Sequence, residues 1–546
     1  MADGVGGRRR RWSGALGVVA AGWAAMGGLS TAAAASVDRG SAAVSAPMAE
    51  APPIKAATPD VDERDERAVL AQLERQLREA RPERRRRAVA RLAEVGGGRA
   101  IAGVLEALAD RSAEVADEAQ LRLPGLVGAD LLDLVRRRKG LSSGPPLLRL
   151  RWAELLGRAT EPQGAGRLGK LLSTRGEGEL RLLLWSVERL ARRDLIAGER
   201  GPLVERVLRL ARRGRGPGVR AAALQALVPL APERALPLIP AWLGGEVREL
   251  SCSALMAAME LGLPDRLRLL GAGLAHDDWG VRLRAIELAR GAGSPEVLGL
   301  LVARLRHEPR AALRAAVVVT LQRLTGLRYR DHADAWEAAL RARSPALRAP
   351  SGAPPSSASR GSETPRGTVA KLGRLDPLSD RLAILVDFSG SLWFKNAEGR
   401  SKKERLDPQV TRLISGLRPE VRFMLMPYTR EPHPFERRLV EATPRNVRRA
   451  QRFFETARMT GSGDLYEALS LALDAPDVDR VMLLTDGAPS GGERWDIELM
   501  VAHLRERLRF RPALLDFILV DSSPKLEREW GGLADSTGGR LICLSW

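Results

Sequence analysis

Leu382-Ala383-Ile384-Leu385-Val386-Asp387-Phe388-Ser389-Gly390-Ser391 decides how this chain is read, because an unbroken apolar run ends in the pattern D-x-S-x-S. A short continuous apolar run bounded by Ser and Gly is what a strand buried on both faces of a parallel sheet requires. Its exit offers a carboxylate and two hydroxyls at alternate positions, the oxygen mixture that a hard cation such as Mg²⁺ takes together with retained waters. Further on, Val481-Met482-Leu483-Leu484 ends in Thr485-Asp486-Gly487, so a second buried strand delivers a second carboxylate. Ligands of open parallel sheets bind at the carboxyl ends of strands, where chain order reverses. The plain alternative is that Ser and Asp are turn formers bonding nearby backbone.

Phe423-Met424-Leu425-Met426-Pro427-Tyr428 supplies another strand, and Gly461-Ser462-Gly463-Asp464-Leu465-Tyr466-Glu467-Ala468-Leu469 a loop entering a helix. With Leu484-Thr485-Asp486-Gly487-Ala488-Pro489, these segments make residues 377–546 resemble the von Willebrand factor type A family, an α/β doubly wound, Rossmann-like fold. The resemblance implies a metal-ion-dependent adhesion site at Asp387, Ser389, Ser391 and Asp486, holding Mg²⁺, with Mn²⁺ or Ca²⁺ as substitutes, and receiving an acidic side chain of a protein ligand. The family's middle-loop Thr falls on Gly463, which has no side-chain oxygen. Ser462 or Asp464 could fill the gap, and Asp464 is the candidate because it adds a full negative charge. The alternative is a degenerate site that keeps the fold without the ion.

Residues 63–345 carry a different pattern, amphipathic helices broken by Gly, Pro and Asp. Leu180-Arg181, Val219-Arg220, Val247-Arg248, Val281-Arg282 and Leu313-Arg314 each open an Ala- and Leu-rich helix at a recurring spacing. Helix pairs that cannot bury their apolar stripe alone stack into an α-solenoid. The phrase Asp277-Asp278-Trp279-Gly280-Val281-Arg282-Leu283-Arg284-Ala285 resembles the HEAT repeat family, whose members are scaffolds for partners. The repeated Arg is expected to pair with an Asp or Glu of a neighbouring turn. Leu324-Thr325-Gly326 followed by Trp336 marks the cap of the array.

The expected organisation is therefore multidomain: a signal peptide at 1–35, a tether at 36–62, the HEAT-like solenoid at 63–345, a Pro/Ser/Gly linker at 346–376 and the α/β domain at 377–546. The signal reading rests on Arg8-Arg9-Arg10-Arg11, a weakly apolar stretch from Trp12 to Leu29, and the small residues Ser30 to Ser36. It implies export to the periplasm, the cell surface or the medium, with an uncleaved anchor as alternative and no membrane-spanning segment later. A linker of this composition leaves the two folded parts mobile unless their surfaces dock.

The net charge of +20 is carried by Arg in a chain equally rich in Ala, Gly and Pro, without interleaved aromatics or a nucleic-acid motif, so nucleic acid is not expected as partner. Cys252 and Cys543 sit in apolar surroundings and read as core thiols. The five histidines form no H-E-x-x-H, and no G-x-S-x-G elbow presents a nucleophile, so an enzyme is not expected. Gly164-Ala165-Gly166-Arg167-Leu168-Gly169-Lys170 fits G-x-x-x-x-G-K but continues with Leu171 where Ser or Thr is required, and reads as a turn between helices. The sequence thus points to an adhesion or scaffold protein, the alternative being a metal-free scaffold whose solenoid binds the partner. Oligomeric state is not legible in it.

Overall fold

Two apolar faces per strand dictate the C-terminal architecture. The computed structural model describes residues 63–137, 144–260, 263–347, 378–457 and 461–544. The signal peptide, the tether and the linker beyond Leu347 lie outside the described residues.

In the helical part a two-residue parallel pair, β1 (Gln163–Gly164) with β2 (Ile196–Ala197), links two loops. The C-terminal sheet holds β3 (Arg381–Asp387), β4 (Arg422–Tyr428), β5 (Val440–Glu441), β6 (Arg480–Thr485), β7 (Leu514–Val520) and β8 (Leu541–Leu544). Their order is β5-β4-β3-β6-β7-β8, parallel except for β5. Counted within the domain this is 3-2-1-4-5-6, the doubly wound order, and chain order reverses between β3 and β6. Leu382, Ile384 and Val386 face a core shared with Leu406, Val410 and Phe454, while Ala383 and Leu385 face another shared with Leu469, Leu504 and Trp530. All five of these β3 side chains are fully buried, as alternation between two helical layers requires.

The N-terminal described residues form two rows of helices. In one row Ala113–Val127, Pro146–Leu156, Glu177–Arg192, Pro217–Leu230, Arg248–Ala257, Trp279–Ala289 and Ala311–Thr325 pack each on the next. The recurring Arg acts between neighbours: Arg248 bonds Asp278 through Nε at 2.8 Å, and Arg282 bonds Glu308 through Nε at 2.9 Å and Nη2 at 3.0 Å. Arg220 and Arg314 bond backbone carbonyls instead, at Ala211 and at Glu308 and Pro309, so the expected carboxylate pairing holds for part of the series. The terminal helix Ala333–Leu347 buries Trp336 completely, its Nε1 donating to Arg330 O at 2.7 Å. The G-x-x-x-x-G-K segment runs from β1 into the seven-residue helix Ala165–Leu171, so a minimal strand precedes it where a purely helical setting was expected. Cys252 is buried and Cys543 half-buried, both as free thiols. Among the described residues no helix is long and apolar enough to cross a membrane.

The two folded parts dock, the condition under which the linker leaves them no independent motion: Asp62–Trp546 form one compact unit. Helices of the row just described hold the α/β domain. Asp117 accepts the backbone N–H groups of Trp495 and Asp496 at 2.6 and 2.8 Å and pairs with Arg151, which donates to Glu493 O at 2.9 Å. Arg494 lies 3.0 Å from Glu154, both nearly inaccessible to solvent. Arg509 reaches Glu188 at 2.8 Å, Arg284 donates to Leu508 O at 2.6 Å, and Arg310 reaches Asp479 at 3.3 Å. Phe510 and Leu514 complete the same docking by joining the helical core.

Asp479 gives this interface a pH signature. Burial pushes its carboxyl up to about 6, against the opposing Ser379 hydroxyl and Arg310. The folded chain therefore holds a proton that the unfolded chain releases near 4, and stability falls as pH rises through that window. Between pH 4 and pH 7 we expect wild type to lose on the order of 2 kcal/mol more than Asp479→Asn. Urea midpoints at the two pH values check this, and equal slopes for the two proteins would contradict it.

Candidate metal centre

The cradle begins where β3 ends. Asp387 is 2% exposed, and both its oxygens are engaged: Oδ1 accepts the Ser389 N–H at 2.7 Å, and Oδ2 accepts the Thr485 hydroxyl at 2.6 Å. Thr485 Oγ1 in turn accepts the Gly487 N–H at 2.9 Å, which ties the exits of β3 and β6 together. Gly487 has φ +83, so the turn after Asp486 favours a residue without Cβ. Phe388, the position between Asp387 and Ser389, packs its ring edge-on against Phe454 and leaves the flanking polar groups on the other side.

Ser389 Oγ and Ser391 Oγ stand 3.1 Å apart. Adjacent ligands of an octahedral Mg²⁺ with bonds of about 2.1 Å are separated by about 3.0 Å, so this pair has the spacing of two neighbouring ligand positions. Asp486, 5% exposed, accepts the Ala488 N–H at 3.2 Å with Oδ1, while Oδ2 lies 3.8 Å from the Lys402 ammonium. Burial raises the Asp387 pKa; the Thr485 and Ser389 hydrogen bonds oppose this, and the charge of Asp486 adds to the rise. A buried carboxylate that feels the charge of a second one, with two hydroxyls 3.1 Å apart beside it, suits a hard cation, which would relieve both desolvation and repulsion.

The middle loop closes the corner. Gly390 N–H donates to Gly461 O at 2.8 Å and Asp464 N–H to Thr429 O at 2.7 Å, holding this loop against the exits of β3 and β4. A Cβ on Gly463 would lie 3.2 Å from Ser389 Cβ and 3.5 Å from Asp387 Oδ1, so Gly463 is the middle-loop position that faces the donors. Asp464, named above as a ligand, is turned elsewhere: its Oδ1 accepts the Glu467 N–H at 3.0 Å as the N-cap of helix Leu465–Asp474, and its carboxylate lies against Gly492. The helix needs that cap, because its first N–H groups have no partner within the helix. Burial, followed in effect by the opposing Glu467 amide and the charges of Glu467 and Glu493, brings the Asp464 pKa up to about 6.

Three residues were missed. Thr485 buttresses Asp387, Ser490 accepts the Gly463 N–H at 2.7 Å, and Tyr428 stands beside Asp387 in the β3/β4 register with its hydroxyl buried. Thr485 was visible as a polar residue closing an apolar run; the other two carried no signal. Gly463→Ser would place a hydroxyl in the corner at the cost of a few tenths of an ångström of adjustment by Ser389. We expect about fivefold tighter Mg²⁺ binding by calorimetry, one protein oxygen replacing a water.

The 3-2-1-4-5-6 order with donor loops at the two central strand exits is that of a von Willebrand factor type A domain, and the C-terminal part of this chain is one. Among known proteins, the inter-alpha-trypsin inhibitor heavy chain H2 of Homo sapiens is 28% identical over 131 residues, covering 22% of this chain and 13% of that protein. The inter alpha-trypsin inhibitor heavy chain 4 of Mus musculus is 26% identical over the same length. This chain thus matches only a small fraction of the length of these relatives. A solved von Willebrand factor type A protein from Catenulispora acidiphila superposes with TM-score 0.25 and 19% identity over 30% of this chain and 38% of that one. No family model matches the chain.

Proposed function

We propose that this is a non-enzymatic, exported binding protein in which a type A domain at 377–546, carried on a HEAT-like solenoid at 63–345 behind a signal peptide at 1–35, holds Mg²⁺ and through it an acidic side chain of a protein ligand. What supports this reading is the hydrogen bond from Thr485 to Asp387, which joins the exits of β3 and β6 at the reversal point of the sheet, with the Ser389 and Ser391 hydroxyls 3.1 Å apart beside it. Ser389 and Ser391 would hold the ion directly, and Asp387 and Asp486 directly or through water. When bound, the cation supplies an open ligand position that an outside carboxylate can fill. Thr485 orients Asp387, and Gly463 leaves that position to water.

The alternative, a metal-free scaffold whose solenoid binds the partner, draws support from Gly463 and from Lys402 beside Asp486. It is weakened because one helical row is already occupied by the type A domain through Asp117, Glu154 and Glu188. Titrating the full chain with Mg²⁺ and with Mn²⁺ in a calorimeter separates the two. Saturable heat that disappears in Asp387→Ala is expected, and an identical trace for both proteins would leave only the scaffold.

A further inference from the structure

Between the cradle and helix Lys402–Ser415 the chain makes a detour. Lys395 pairs with Ser401 across an antiparallel bridge, and the Asn396 side chain accepts the N–H groups of Glu398 and Arg400 at 3.0 and 3.1 Å, so the segment is a closed hairpin. The helix starts immediately after it with a capping box between Ser401 and Glu404, which anchors the hairpin's second strand. A cavity of about 230 Å³ opens at its side, lined by Ser391, Phe394, Lys395, Arg400, Lys402 and Arg405. Ser391 belongs to the cradle, so cavity and cradle are continuous.

The lining carries a net excess of positive charge. Lys395, Arg400, Lys402 and Arg405 contribute four positive charges, against Asp521 at the rim and Glu398, which pairs with Arg400 and lies 3.9 Å from Arg405. The Lys402 ammonium reaches toward Asp486 at 3.8 Å, so a cation bound at Asp486 would free Lys402 for an outside anion. Phe394 stands at the same mouth with 76% of its surface exposed, more than any other large apolar side chain among the described residues. An exposed ring beside a cationic hollow suits a partner that presents an anion next to an apolar group.

We infer that this hollow is a second anchor for an acidic peptide segment, one carboxylate lodging among Lys395, Arg400 and Lys402 while a neighbouring apolar residue covers Phe394. The inference deepens the adhesion reading, on which it rests only for the first anchor at the cradle. A peptide fits better than a nucleic acid, because Glu398, Asp486 and Asp521 interrupt the positive surface and would repel an unbroken phosphate chain.

The test uses the full chain and a fluorescein-labelled peptide of alternating Glu and Leu, followed by anisotropy in Mg²⁺ and in EDTA, with the Gln/Leu peptide as control. Arg400→Ala with Lys402→Ala should weaken the Glu/Leu peptide about tenfold or more in both buffers, and Phe394→Ser about fivefold. These side chains lie on the hairpin or at the start of its helix, and an unchanged melting curve shows that the fold survives. Peptide binding that ignores these substitutions, a Gln/Leu peptide that binds equally, or an oligo-dT that competes as well as the peptide would each overturn the inference. If EDTA weakens wild type while the substitutions do nothing, the metal reading stands and the second anchor falls. If Mg²⁺ never matters while the substitutions weaken binding, the anchor stands and the metal reading falls.

Discussion

Arg494→Met is expected to cost about 3–5 kcal/mol of folding free energy, the range for breaking a buried ion pair from one side. Arg494 is 1% exposed and sits 3.0 Å from Glu154, itself 2% exposed. Burial works against the guanidinium charge, but Glu154 and Asp117 more than offset it and hold the Arg494 pKa above its ordinary value. Removing the cation leaves Glu154 buried between the helical rows and the type A domain with only the longer contact to Arg158 at 3.9 Å. The neighbouring pair Arg158 with Glu498 makes the contrast: Glu498 is 57% exposed, and Glu498→Gln should cost about 1 kcal/mol or less. Guanidinium denaturation followed by tryptophan fluorescence measures both. Equal, small losses would mean that the docking is held by apolar contact at Phe510 and Leu514 and not by the ion pairs.

Asp516→Ala is the second large effect, also about 3–5 kcal/mol. Asp516 on β7 is 1% exposed and accepts Arg480 Nη1 at 2.7 and 2.8 Å, together with the backbone N–H of Arg540 at 2.9 Å. Burial alone would raise its pKa, yet Arg480 and Arg540 lower it, so the carboxylate is ionised inside the sheet. Without it Arg480, 2% exposed, becomes a lone buried charge, whereas Arg540 is 32% exposed and can turn to water. The Asp516→Leu, Arg480→Met double variant should regain most of the loss, because an apolar pair of similar volume needs no compensation. The pair sits toward the start of β6, away from the exits that form the cradle, so Mg²⁺ affinity of the folded variants should be unchanged. A loss of Mg²⁺ heat in Asp516→Ala at temperatures where it is folded would mean that the cradle depends on the far end of the sheet.

What the sequence revealed follows from how local each signal is. Leu382–Val386 and Val481–Leu484 mark β3 and β6 to within a residue at either end, because continuous apolar runs admit few other structures. The recurring Val-Arg phrase was legible because the helical stack repeats its own neighbour contacts, as at Arg248 with Asp278. β1 and β2 escaped because two residues carry no period. The N-cap role of Asp464 was not legible, because a carboxylate serves equally as an ion ligand and as an N-cap, and only the direction of its side chain tells them apart. The docking escaped altogether: Asp117, Arg151 and Arg494 are ordinary charged residues until the fold brings positions 342 residues apart together, as at Arg151 and Glu493. Linker composition states what a segment permits, whereas the surfaces it connects decide whether it moves.

Diffraction from crystals of the full chain soaked in Mn²⁺, collected at a wavelength where manganese scatters anomalously, tests the central claim most directly. A single anomalous peak is expected within ligand distance of Ser389 Oγ and Ser391 Oγ, about 2.1–2.3 Å from each, and absent from Asp387→Ala crystals. An empty corner at saturating Mn²⁺, with the Lys402 ammonium drawn in between Asp486 and Asp387, would contradict it.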